Sequence, residues 1–203
     1  MAELLLAQLA REPVPGRVKT RLQPALTPTE AAKLHAAMVE YVCSRLCASK
    51  LGRVELWVDG DPEAAVFRRC RELGVAAIEQ QQGAGLGERM LAICEQGLSQ
   101  AQAVVLVGSD APAIDGHYLQ QAQQALRSSE VVLGPALDGG YVLLGCRRLV
   151  PELFSGMPWG SAGVLEETLS RLRRLGLGFE LLQTLPDIDR PEDLRHLPED
   201  LHW

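Results

Sequence analysis

The sequence lacks any apolar run approaching the roughly 20 residues that a membrane-spanning helix requires. It also lacks an excess of positive charge: 20 Lys and Arg against 26 Asp and Glu give a net charge of −6. That balance excludes a general affinity for nucleic acid or for anionic membrane surfaces, so any anion site must be local. There is no C-x-x-C pair among the five cysteines. Cys43 and Cys47 have helical spacing, but without a nearby His or further Cys they make a poor metal site. An odd number of thiols in apolar contexts fits a reduced, cytoplasmic protein. The G-x-x-x-x-G-K-[ST] spacing, the nucleophile elbow and a Ser-His-Asp pattern are all missing. The four histidines (His35, His117, His196 and His202) show no ligand spacing and are assigned to surface or core. No repeat, low-complexity tract or Ser/Gly linker interrupts the 203 residues, which predicts one domain over residues 1–203.

What is present is an alternation of short apolar runs with amphipathic stretches. Leu4 to Leu9 reads as a buried first strand rather than a signal peptide, because no basic segment precedes it. Thr27-Pro28-Thr29-Glu30 has the form of a capping box with Pro at the first helical position. The helix it opens carries Leu34, Met38, Val42 and Leu46 at fourfold spacing. Strands are expected at 54–58, 75–78, 103–107, 131–133, 141–145 and 179–182. Helices are expected through Phe67, from Leu86 with Leu86, Met90, Ile93 and Leu98 inward, at 118–126, at 165–175 and at 191–197. Ala103 to Val107 is apolar at every position, as a central strand buried on both faces would be. The pattern predicts a single Rossmann-like three-layer α/β/α domain with a mostly parallel sheet.

In such sheets ligands collect beyond the carboxyl ends of the strands, and three loops there are chemically unusual. The first runs from Arg11 to Leu22. It holds four of the 20 basic residues in 12 positions, where uniform spread would give about one. Gly16 and two prolines bend it, and Arg17, Lys19 and Arg21 are suited to phosphate oxygens, Lys19 as a mobile point charge. The second is Gly108-Ser109-Asp110-Ala111-Pro112, where Asp110 ends the buried strand and suits Mg²⁺ or is simply a turn residue. The third is Gly134-Pro135-Ala136-Leu137-Asp138-Gly139-Gly140-Tyr141. Asp138-Gly139 is a hairpin signal, and the glycines also leave room for a ligand that Tyr141 would stack on or bond.

Further along, Asp187 and Asp189 precede a short helix and are candidates to complete a metal site with Asp110. Glu192 and Asp193 fit the first turn of that helix as structural residues. Gly83 to Met90 opens a helix and offers Gly87 and Arg89 as nucleotide contacts, although its glycine spacing is not that of a dinucleotide fingerprint. Trp159 and Ser161 are candidates for an acceptor-side wall.

The ordered motifs P-x-P-G-x-V-K-T-R-L, L-G-E-R-M, G-S-D-x-P, G-P-x-x-D-G-G-Y, W-x-S and D-x-D-x-x-E-D-L resemble the DUF2064 family over nearly the whole sequence. That family is also labelled radical-SAM/selenodomain-associated transferase 1, and its members are described as candidate glycosyltransferases. The resemblance implies a GT-A fold of the nucleotide-diphospho-sugar transferase type. It implies that Arg11, Arg17, Lys19 and Arg21 hold phosphates, and that Asp110 and Asp189 hold Mg²⁺ or Mn²⁺. It further implies that Asp138, Gly139 and Gly140 border the sugar or acceptor, with Asp138 and Asp110 as the catalytic carboxylates. A radical-SAM pathway partner is implied by the family label alone. Arg11, Leu137 and Gly160 depart from the residues usual in the family.

Three functions follow as expectations. One is metal-dependent glycosyl transfer from a nucleotide diphosphate-sugar to a small acceptor. The second is nucleotidyl transfer with release of pyrophosphate. It is suggested by the likeness of Lys19-Thr20-Arg21-Leu22 to phospholactate guanylyltransferases and by a single Asp110 where GT-A glycosyltransferases usually carry a D-x-D carboxylate pair. The third is a nucleotide-binding module without catalysis.

Overall fold

The computed structural model describes residues 2–203. Among these residues, seven strands form one sheet in the order β3-β2-β1-β4-β6-β5-β7. They are β1 (Ala2–Arg11), β2 (Arg53–Asp59), β3 (Ala77–Gln80), β4 (Ala101–Gly108), β5 (Val131–Pro135), β6 (Tyr141–Cys146) and β7 (Phe179–Leu181). Pairing is parallel among β3, β2, β1 and β4 and between β5 and β7, whereas β6 runs antiparallel to both β4 and β5. The mostly parallel α/β architecture is therefore the one the alternation predicts. The single reversal comes from the Asp138-Gly139 hairpin, which brings β6 back between β4 and β5.

Among the described residues, five α-helices cover the sheet: α1 (Pro28–Ser49), α2 (Ala65–Glu72), α3 (Leu86–Gln100), α4 (Gly116–Ser128) and α5 (Val164–Leu175). Side chains alternate between the faces of a strand, so each buried strand feeds two cores. Leu4, Leu6, Val105 and Val107 point into the core beneath α1, α2 and α4. Leu5, Ala7, Val104 and Leu106 point into the core beneath α3 and α5. The α1 capping box forms as expected: Thr27 Oγ1 accepts from the Glu30 amide, and the Glu30 carboxylate accepts from the Thr27 amide. None of the helices is long and apolar enough to cross a membrane among the described residues.

Some local expectations shift. The third strand begins at Ala77 rather than Val75, which is buried ahead of it. The closing segment Pro191–His196 winds as a 3-10 helix, with Asp193 accepting from the Asp189 and Arg190 amides. Leu86 is not inward. It is the first residue of α3, is 45% exposed and borders the cleft described below.

Candidate active site

At the carboxyl ends of β1, β2 and β4, a cleft of about 680 Å³ opens. The basic loop, the loop after β4, the β5–β6 turn, the start of α3, the Trp159 segment and Asp187–Asp189 all border it. Loops distant in sequence meet here because parallel strands deliver their C-terminal ends to one edge.

The basic loop is anchored rather than draped over the surface. Lys19 adopts a left-handed backbone (φ 50°), a conformation that costs a non-glycine residue about 1–2 kcal/mol. It starts a single 3-10 turn, Thr20–Leu22, whose Leu22 is fully buried. Leu22 packs with Leu34 and Met38 of α1 and with Ile188 and Leu201 of the C-terminal segment. This small cluster welds the loop to the C-terminal segment and sets the relation between Lys19 and Asp189.

Lys19 is not the mobile charge that the loop's composition suggests. Its side chain is 3% exposed, its ammonium lies 2.8 Å from Asp110 Oδ1, and it donates to the Ile188 carbonyl. Arg21 pairs with Asp189 at 2.7 Å. Arg11 and Arg89 both pair with Asp59, at 3.1 and 2.7 Å. Arg17 lines the same cleft, is exposed, and forms no ion pair among the described residues.

Asp110 is half exposed overall, with Oδ1 turned inward. Burial alone would raise its pKa, but the Lys19 ammonium and His35 more than offset that and hold the carboxyl well below its ordinary range. Asp110 is thus a fixed anion. Asp187 is its opposite: burial, then the neighbouring charge of Asp138, pushes it up to about 6. Asp138 caps its own turn by accepting from the Gly140 amide at 2.8 Å.

Not every expected contact residue reaches the cleft. Arg11, Arg17, Lys19, Arg21, Arg89, Asp110, Asp138, Gly140, Tyr141, Trp159, Ser161, Asp187 and Asp189 border it, whereas Gly16, Gly87 and Gly139 do not. Gly16 serves a turn at φ 78°. A Cβ on Gly87 would lie 2.3 Å from the Phe154 carbonyl oxygen and 2.6 Å from Trp159 Nε1, so this glycine lets α3 pack against the Trp159 segment. Gly139 (φ 91°) leaves room for the Ala162 carbonyl, which a Cβ would meet at 2.3 Å. Tyr141 offers the cleft a ring rather than a hydroxyl, because its OH is buried without a hydrogen-bond partner and the ring stands edge-on to Trp159 at 6.1 Å.

Two cleft residues escape sequence reasoning. His35 is buried on α1, with Nε2 3.0 Å from the Arg11 carbonyl and Nδ1 3.7 Å from Asp110 Oδ1. Only its place on the core stripe beside Leu34 hints at burial. Asp59, which clamps Arg11 to Arg89, reads in sequence as the opening of a turn.

As hard oxygen donors bordering the same cleft, Asp110 and Asp189 are chemically suited to Mg²⁺ or Mn²⁺. Among the described residues, no group of three or more His, Cys, Asp or Glu side chains is arranged to hold an ion unaided. A cation here needs oxygens from a substrate as well.

The sequence model of DUF2064, a family described as uncharacterised proteins conserved in bacteria, matches residues 42–161. The chain belongs to the DUF2064 family. A candidate nucleotide-diphospho-sugar transferase from Desulfovibrio desulfuricans G20 is 31% identical to this DUF2064 member, with a TM-score of 0.86 over 96% of this chain and 85% of that one. CMP:2-keto-3-deoxy-manno-octonic acid synthetase complexed with CTP superimposes with a TM-score of 0.60, at 14% identity and 96% coverage of both proteins. A Mycobacterium tuberculosis H37Rv protein in complex with manganese gives 0.55, at 16% identity and coverage of 98% and 99%. No curated protein matches the sequence. The last two likenesses concern the fold alone.

Proposed function

We propose that this DUF2064 protein is a metal-assisted transferase acting on a nucleotide-linked donor, whose diphosphate lies along the basic loop. The observation that carries the reading is the convergence of Arg17, Lys19 and Arg21 with Asp110 and Asp189 at the carboxyl edge of the sheet. The first form of the reading is glycosyl transfer from a nucleotide diphosphate-sugar to a small acceptor, supported by the 31% identical Desulfovibrio relative. A second form is nucleotidyl transfer from a nucleoside triphosphate. It is favoured by the single carboxylate after β4 and by the shared fold of a synthetase that binds CTP.

Both forms rest on positioning and charge rather than on a covalent nucleophile. Asp110 and Asp189 would hold the divalent cation, which supplies charge neutralisation for the departing phosphate. Arg17 reaches the phosphates as an unengaged guanidinium able to fork across two oxygens. Lys19 and Arg21 stand within the same loop to take further phosphate charge. Trp159 and the ring edge of Tyr141 form an apolar wall for the transferred or accepting group. Asp138, beside Asp187 on the cleft lining, would border the reacting hydroxyl.

The test is thermal stabilisation by nucleoside triphosphates and nucleotide diphosphate-sugars, each with and without Mg²⁺ or Mn²⁺. Metal-dependent stabilisation by a sugar nucleotide but by no triphosphate supports glycosyl transfer. The reverse result supports nucleotidyl transfer, and no stabilisation by either would overturn the proposal.

A further inference from the structure

The candidate phosphate cations and the candidate metal carboxylates already neutralise one another. Lys19 sits on Asp110 Oδ1 at 2.8 Å and Arg21 on Asp189 Oδ2 at 2.7 Å. A divalent cation arriving alone would meet Asp110 beside a buried ammonium that solvent screens poorly. A polyphosphate arriving alone would find Lys19 and Arg21 already neutralised, with the nearby Asp138 and Asp187 adding repulsion. Arriving together, the two ligands allow a complete exchange of partners. The carboxylates would pass to the metal and the ammonium and guanidinium to the phosphates, so that each of the four side chains keeps a partner of opposite charge.

We propose that Lys19 and Arg21 are built-in counter-cations for Asp110 and Asp189, so that the cleft takes up a divalent cation and a polyphosphate together and either one poorly alone. The inference rests on the transferase reading above and adds a rule for how that site fills. Lys19 is built for the exchange. Its left-handed backbone and its bond to the Ile188 carbonyl hold the ammonium in place, so it changes partner without changing position. Arg17 makes the first contact, since it alone among the cleft's Lys and Arg residues is unpaired among the described residues. Linkage makes the dependence reciprocal: whatever factor the phosphate adds to metal affinity, the metal adds to phosphate affinity.

The probe pair is Mn²⁺, followed by the loss of its free-ion electron paramagnetic resonance signal, and inorganic pyrophosphate, with their own association measured in protein-free controls. Wild-type protein is expected to bind Mn²⁺ weakly alone and at least about tenfold more tightly with pyrophosphate present. Lys19→Met should bind Mn²⁺ alone about tenfold better than wild type while losing most of that coupling. Arg21→Gln, which alters only an exposed pair, should move both quantities in the same direction and serves if Lys19→Met does not fold. If the folded variants bind Mn²⁺ alone no better than wild type, while wild type takes up Mn²⁺ with pyrophosphate, the exchange is overturned and the transferase reading stands. If wild type takes up no pyrophosphate under any condition, both fall.

Discussion

The amide of Ile188 donates to the carbonyl of Asp110 at 2.8 Å, tying the C-terminal segment to the loop after β4. Ile188 is fully buried between Leu22, Leu34 and Met38, and its two neighbours in sequence are the cleft carboxylates Asp187 and Asp189. Burying this one side chain leaves the acids on either side of it half-buried on the cleft lining. Ile188→Ala should cost about 2–4 kcal/mol of stability through the cavity it leaves. It should also weaken joint uptake of Mn²⁺ and pyrophosphate in protein that is still folded. Denaturant unfolding and calorimetric titration on the same variant check the two effects, and unchanged binding would detach Ile188 from the site.

Gly139→Ala tests the turn beneath the Trp159 segment. Its φ of 91° disfavours any side chain, and the added Cβ would fall 2.3 Å from the Ala162 carbonyl oxygen. Hydrogen exchange across residues 159–163 should accelerate, and stability should fall by about 1–3 kcal/mol. Gly16→Ala, with open space around its Cβ position, should leave that exchange unaltered.

Arg171 of α5 makes a comparable test of the same segment from the other side. Its guanidinium donates to the carbonyls of Glu152, Ser155 and Gly156 and pairs with Glu167 at 2.6 Å. Arg171→Ala releases these carbonyls at once and should destabilise by about 2 kcal/mol. Faster exchange confined to residues 150–160 would distinguish the loss of a loop clamp from a general loosening.

The pH dependence of stability should carry the mark of Asp187. Its folded pKa of about 6 lies above the ordinary carboxylate value, so the folded state holds its proton more tightly than the unfolded state does. The stability this contributes is complete below the unfolded pKa and is lost as pH rises toward 6 and beyond. With chelator present, Asp187→Asn should therefore melt higher than wild type at pH 8 and nearly equal to it at pH 4. Equal melting at both values would show that Asp187 is not electrostatically crowded.

The sheet was legible in the sequence because strand burial is written residue by residue: the unbroken apolar run of β4 marks a centre, and turn residues mark its limits. The loops bordering the cleft were legible from their charge and glycine content. Their internal pairing was not. Lysine is almost never buried, so nothing local predicts that Lys19 lies beneath the surface bound to Asp110. His35 and Asp59 acquire their roles from contacts 24 to 75 positions away in sequence, with Arg11 and Asp110 for one and with Arg11 and Arg89 for the other. Gly87 and Gly139 stand in loops expected to meet nucleotide and sugar, yet both serve close packing, against the Phe154 carbonyl and Trp159 for one and the Ala162 carbonyl for the other.

The most direct test of the account is the manganese anomalous signal in crystals grown with Mn²⁺ and inorganic pyrophosphate. The predicted peak lies between the carboxylates of Asp110 and Asp189, with pyrophosphate oxygens against Arg17 and Lys19 and the Asp110 carboxylate drawn away from the Lys19 ammonium. A manganese peak remote from Asp110, with the Lys19–Asp110 pair intact beside bound pyrophosphate, would contradict it.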